Sequence, residues 1–166
     1  MVAKAPTRLQ KADVMKILSG VMDPEIPAIS VVDLGIIRDV QIDEKATRVI
    51  ITPTYSGCPA TKVIEQEIRS ALEAAGVLNL ILETALSPAW TTEWISPEGR
   101  TRLREYGIAP PISAPRGTLP VIQPSVPCPY CNSNDTALKS EFSGTPCKAL
   151  YTCAGCHQPF EYFKCL

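Results

Sequence analysis

Two stretches of this chain place apolar residues at helical spacing, and others carry the β-branched density of strands. Val14, Ile17, Leu18 and Val21 recur at i, i+3, i+4 and i+7, the stripe of a helix packed on a core. Thr7 and Gln10 stand ahead of it at capping-box spacing. Asp23-Pro24 closes it, because proline disfavours helical geometry in the residue before it. Residues 36–42 and 47–52 then read as two strands joined by the polar turn Asp43-Glu44-Lys45-Ala46, which predicts a hairpin. In a second helix Val63, Ile64, Ile68, Ala71, Leu72 and Ala75 repeat up to Gly76, a C-terminal stop. Residues 78–86 predict a third strand and residues 97–106 a short charged helix. The order α-β-β-α-β-α belongs to a small α+β domain.

The pattern breaks at residue 109. Prolines at 110, 111, 115, 120, 124 and 127, with almost no charge between them, predict a stiff, extended linker or strap over residues 109–127. Beyond it, residues 137–142, 148–153 and 160–164 supply three short strands around two Cys-x-x-Cys pairs, the layout of a zinc ribbon. The expected organisation is an α+β domain over residues 7–108, the linker, and a ribbon over residues 128–166.

The cysteines carry the chemistry. Cys128/Cys131 and Cys153/Cys156 are two pairs separated by twenty-one residues, and each pair can lay two thiolates on one tight turn. Two such turns make a closed four-sulfur cage, which predicts a structural zinc that stands in for the core so short a tail lacks. A rubredoxin-like single iron uses the same spacing and would make the tail an electron carrier. Cys147 and Cys165 are unpaired in sequence; either has the chemistry to replace one of the four ligands, but without paired spacing both read as small buried apolar residues. His157, the only histidine, directly follows Cys156 and reads as a loop residue rather than a ligand.

Charge and composition exclude several classes. Hydrophobic residues make up 45% and charged residues 20% of the chain, values of a globular protein. No apolar run approaches the ~20 residues of a membrane span. The first six residues do not read as a secretory signal, and paired thiols without one predict a reducing, cytoplasmic compartment. A ribbon that binds nucleic acid needs a basic stripe. Here residues 109–166 offer only Arg116, Lys139, Lys148 and Lys164, so no nucleic-acid partner is expected.

Cys58 stands apart from the other six. Gly57 lets the backbone turn and Pro59 suits a first helical position, which places Cys58 at the N-cap, facing unpaired amides. Those amides favour a thiolate that can attack or bind metal near neutral pH, although a buried capping cysteine has the same spacing. Asp23 and Glu25 in Asp-Pro-Glu, and Asp33 in Asp-Leu-Gly, can join it in a mixed sulfur and oxygen site or serve as ordinary turn residues.

Asp23-Pro24-Glu25-Ile26-Pro27, Val32-Asp33-Leu34-Gly35-Ile36-Ile37, Ser56-Gly57-Cys58-Pro59-Ala60-Thr61 and Trp90-Thr91-Thr92-Glu93-Trp94 resemble the domain of SufT-like metal-sulfur cluster assembly factors. With the tail residues 141–151 and 160–165 included, the chain from about residue 7 onward is similar to the PaaD family of phenylacetate-degradation proteins. The resemblance implies an accessory factor of the pathway that activates phenylacetate as a CoA thioester and oxygenates its ring. It implies protein partners, the di-iron subunit or the reductase of a phenylacetyl-CoA oxygenase. It also implies that Cys58 is a transient ligand of iron or an iron-sulfur cluster, with Asp23 and Glu25 in support. With one histidine, no Glu-x-x-His pair and no Gly-x-Gly-x-x-Gly, the chain is not expected to be the oxygenating subunit or to turn over substrate itself. Two other readings stand beside this one: a noncatalytic component of the oxygenase complex, and a thiol enzyme using Cys58 on a CoA thioester, for which a general base is lacking.

Overall fold

In the computed structural model, which describes residues 9–77, 79–112 and 125–164, the first helix begins where its own side chain caps it. The Asp13 carboxylate accepts from the Gln10 amide at 2.8 Å, so α1 spans Lys11–Leu18. Thr7, expected to share in the cap, lies outside the described residues. β1 (Ile37–Ile42) and β2 (Thr47–Ile51) pair antiparallel. At their turn Asp43 Oδ1 accepts from the amides of Lys45 and Ala46 at 2.7 and 2.9 Å. α2 (Ala60–Ala74) then crosses over to β3 (Leu80–Thr84), which lies parallel to β2 and completes a sheet of order β1-β2-β3.

Gly76 stops α2 as the sequence predicts, and the bonding shows how. At φ 90° it donates to Glu73 O at 2.9 Å while Val77 donates to Leu72 O at 3.0 Å, a Schellman closure open chiefly to glycine. α1 packs on α2 and β1, and α2 on β3. Val14 and Leu18 of α1, Ile68 and Leu72 of α2 and Val49 of β2 are fully buried in this first unit. Four members of the predicted apolar stripes are not buried, Ala71 and Ala75 among them. Ile17 is half-buried and Val63 is 45% exposed. Truncating Ile68 to alanine should therefore cost the first unit about 2–5 kcal/mol. Val63→Ala should stay within about 0.5 kcal/mol, a contrast that urea denaturation measures directly.

The compact units divide between Ala89 and Trp90, earlier than the boundary expected at residue 108. The cause is local to the second unit. α3 (Pro97–Glu105), capped by Ser96 Oγ accepting from the Gly99 amide at 2.9 Å, leads through Gly107 into a two-residue strand, β4 (Ile108–Ala109). The second sheet has the order β4-β7-β6-β5, built from β5 (Thr136–Ser140), β6 (Lys148–Cys153) and β7 (Pro159–Phe163). β4 runs parallel to β7, and Trp90 meets Phe163 edge-on at 6.0 Å between ring centres. Arg100 donates to Thr92 O at 2.7 Å and Pro111 O at 2.6 Å. The sixth element of the predicted α-β-β-α-β-α order thus packs with the ribbon.

Of the proline-rich segment, residues 113–124 lie outside the described residues. Both described ends rest on the ribbon unit: the Ile112 amide donates to Tyr162 Oη at 3.3 Å, and Val126, buried, accepts from Thr136 Oγ1 at 2.7 Å. Lys148 is buried in β6 and pairs with Glu161 of β7 at 2.8 Å. Burial acts to raise the Glu161 carboxyl, but Lys148 and the Ser143 hydroxyl hold it below its ordinary value. No described helix is long and apolar enough to cross a membrane.

Candidate functional site

Two tight turns bring the paired cysteines together. In the first, the Asn132 amide donates to Cys128 O at 2.9 Å and the Cys128 amide to Ser133 O at 3.0 Å. In the second, the Cys153 amide donates to Gln158 O at 3.0 Å and the Cys156 amide to Cys153 Sγ at 3.5 Å. Each turn leaves through a left-handed residue, Asn132 at φ 60° and His157 at φ 59°. His157 is exposed and serves this turn. A Cβ on Gly155 would stand 3.2 Å from Ser133 Cβ and Oγ, so the two turns touch at a position with no room to spare.

All four sulfurs lie within 4.8 Å of one another. Cys128 and Cys156 are 3.7 Å apart and Cys131 and Cys153 are 3.5 Å apart. A tetrahedron with metal–sulfur bonds of ~2.3 Å has edges of about 3.8 Å, so the set fits zinc or a single iron with little movement. Cys147 is not in the cluster; it is buried, with Thr145 Oγ1 at 3.1 Å from its sulfur. Cys165 lies outside the described residues.

The thiols do not titrate independently. For Cys131 the Ser133 amide favours the thiolate, but the hydrogen bond to Cys153, burial and the remaining thiols outweigh it and push it up to about 12. The Cys156 amide, aided by Cys131, Cys156 and the Gly155 amide, brings Cys153 down to about 7 against burial. Cys156 is raised, since burial and the Cys128 and Cys153 thiols outweigh the Gln158 amide. Four adjacent thiolates need a cation to coexist. Metal binding at pH 7 should therefore release protons from Cys131 and Cys156, and affinity should fall as pH is lowered. Titration calorimetry in buffers of different ionisation enthalpy measures the release; a proton-neutral binding event would contradict it.

The second candidate centre lies in the first unit. The helix starts one residue later than expected, with Pro59 itself at the N-cap in helical geometry (φ −65°, ψ −25°). Cys58 precedes the cap, its amide donating to Tyr55 O and its carbonyl accepting from the Thr61 amide, both at 3.2 Å. Half-buried, it lines a narrow cleft, about 270 Å³ when the open solvent at its mouth is counted, with Asp23, Ile36, Ile51, Pro53, Thr54, Thr61 and Ile64. Asp23 is buried, and its Oδ1 accepts from the amides of Glu25 and Ile26, each at 2.8 Å. Cys58 and Asp23 thus share one pocket. Glu25 is not among its lining residues; its amide holds the Asp23 carboxylate instead. Asp33 bonds Ser30 at 2.9 Å and is also outside the pocket lining. The sequence motifs do not place Thr54 and Thr61 there. Thr61, three residues after Cys58, has a readable signal, because that spacing returns a side chain to the same side of a helical start.

The chain matches two families in succession: "Iron-sulfur cluster assembly protein" over residues 11–77 and "PaaD zinc beta ribbon domain" over residues 113–164. It is 45% identical over 157 residues to an Escherichia coli K12 protein provisionally named as one of the subunits of 1,2-phenylacetyl-CoA epoxidase, covering 95% of this chain and 94% of that one. It is 33% identical to a Bacillus subtilis Fe-S protein maturation auxiliary factor, covering 52% of this chain and 85% of the relative. A conserved hypothetical protein of Thermotoga maritima shares the fold with a TM-score of 0.52 and 34% identity, covering 60% of this chain and 98% of that structure. With a PaaD-type zinc β-ribbon following an iron-sulfur-assembly-type domain and a relative matched nearly end to end, the chain belongs to the PaaD family.

Proposed function

We propose that this protein is an accessory factor that helps load iron or an iron-sulfur cluster into a multicomponent phenylacetyl-CoA oxygenase. The observation that carries the reading is that half-buried Cys58 and Asp23 line one pocket of the assembly-type domain. Among the described residues only the four-cysteine cluster gathers three or more ligand groups, so the Cys58 pocket offers an incomplete ligand set. An incomplete set suits cargo that must leave, because the acceptor supplies the remaining ligands. Glu25 supports the site through the amide that fixes Asp23.

The closed cage of Cys128, Cys131, Cys153 and Cys156 is read as a structural zinc site. Zinc there supplies folding energy and no redox chemistry. A purified protein that is colourless and holds one molar equivalent of zinc fits this reading; visible charge-transfer absorption would replace it with iron. The partner is a subunit of the oxygenase, the di-iron subunit or the reductase, and the relative named as an epoxidase subunit supports association with such a complex.

The test is the metal content of each oxygenase subunit produced with and without this protein. A subunit that emerges metal-poor only in its absence supports maturation. The name of the E. coli relative also favours a second reading, a noncatalytic component that stays in the complex. Stable co-purification in equal amounts, with unchanged metal content in its absence, would establish that reading instead.

A further inference from the structure

We propose that the groove between α2 and the end of α1 is where the client docks, through a segment with an apolar edge and a lysine or arginine. This inference rests on the maturation reading above and names the surface that reading requires. The groove holds about 1150 Å³, part of it open to solvent, and is lined by Ile17, Met22, Val63 and Ala71 with Asp23 and Glu67 among the rest.

Periodicity assigns Ile17 and Val63 to the buried stripes of their helices, yet neither is buried by this chain. Val14, Leu18, Ile68 and Leu72 on those stripes are fully buried, and of the stripe residues left open Ile17, Val63 and Ala71 line this groove while Ala75 does not. Apolar side chains left open on two adjacent helices suit a partner that inserts its own apolar edge.

Charge narrows the occupant. Asp23 and Glu67 are the charged residues of the lining, and no lysine or arginine lines it. An acidic, apolar groove selects a cation-bearing segment and disfavours an acidic one. Position narrows it further, because Asp23 lines both this groove and the Cys58 pocket. α2 serves both as well, with Thr61 and Ile64 lining the pocket and Val63 and Glu67 lining the groove. A polypeptide seated in the groove therefore lies beside the thiol that would pass it metal.

The experiment uses the full-length protein and the purified di-iron subunit and reductase of the oxygenase, each probed separately by surface plasmon resonance. Val63→Asp and Glu67→Lys both alter exposed positions, so the first unit keeps its circular dichroism spectrum and urea midpoint. Each should weaken binding to one of the two subunits by at least about tenfold. Ile81→Asp, at an exposed apolar position on β3, should leave binding unchanged. Cys58→Ser should bind as the natural chain does while losing metal delivery. Binding within twofold of the natural chain for both groove variants overturns the inference, as does failure of the natural chain to bind either subunit. Conversion of a dimer to a monomer by Val63→Asp would make a second copy the occupant and also overturn it. If the groove variants lose binding but Cys58→Ser still delivers metal, the docking surface stands and the role given to Cys58 falls.

Discussion

Removing the metal from the Cys128, Cys131, Cys153 and Cys156 cage is expected to unfold the second unit while the first stays folded. Structural zinc contributes about 10–16 kcal/mol of apparent folding free energy in small modules. A whole domain is stable by only ~5–15 kcal/mol, so no remaining contact offsets that loss. The buried cluster around the cage, with Val126, Ala149, Tyr151 and Phe160, includes Cys128 and Cys153 themselves. Once the sulfurs part, that cluster opens with them. Both tryptophans lie in this unit, Trp90 buried against Phe163, and they report the change. Chelation should shift tryptophan emission to the red and leave the helical signal of α1 and α2 largely in place. Loss of a molar equivalent of metal with no change in emission would refute the expectation. Cys131→Ser should act as chelation does.

The second large effect concerns Cys58. Replacing it with serine should change the stability of the first unit by less than about 1 kcal/mol, since its hydrogen bonds to Tyr55 and Thr61 run through its backbone. Metal delivered to the client should nevertheless fall on the order of 10–100-fold or more, because a hydroxyl is a poor substitute for a thiolate toward iron. Asp23→Asn separates two roles of its side chain. The amide oxygen can still accept from Glu25 and Ile26, so the loop keeps its shape, while the negative charge in the Cys58 pocket is lost. A partial loss of delivery in Asp23→Asn beside a full loss in Cys58→Ser marks the carboxylate as a supporting ligand. Full delivery by Cys58→Ser removes the thiol from the function.

What the sequence makes legible here is what local physics determines. The Cys-x-x-Cys spacing draws two sulfurs onto one turn wherever it occurs, and Gly76 ends a helix because few other residues accept its φ. Both can be read without knowing the fold. β4 is not readable, because two residues carry no periodic signal and their pairing with β7 is made to a strand some fifty residues later. That strand moves the boundary from 108 to 89, since α3 follows β4 into the ribbon unit. Cys58 falls one position from its expected place because Pro59 takes the cap in helical geometry. The stripes of α1 and α2 read as wholly core. Periodicity shows that a face is apolar and is silent about what covers it, and at Ile17 and Val63 this chain does not.

The parallel pairing of β4 with β7 also sets a schedule. Ile108 aligns with Glu161 and Ala109 with Tyr162, so the strand that β4 pairs with is made some fifty residues after it. The first unit is made entirely of earlier residues and can close while the rest is still being translated. The second combines high contact order with a cage whose thiols come from both ends of the ribbon. Metal availability while the ribbon is being made would then decide whether the late unit is captured correctly, and metal starvation should show first as loss of newly made protein rather than of the existing pool.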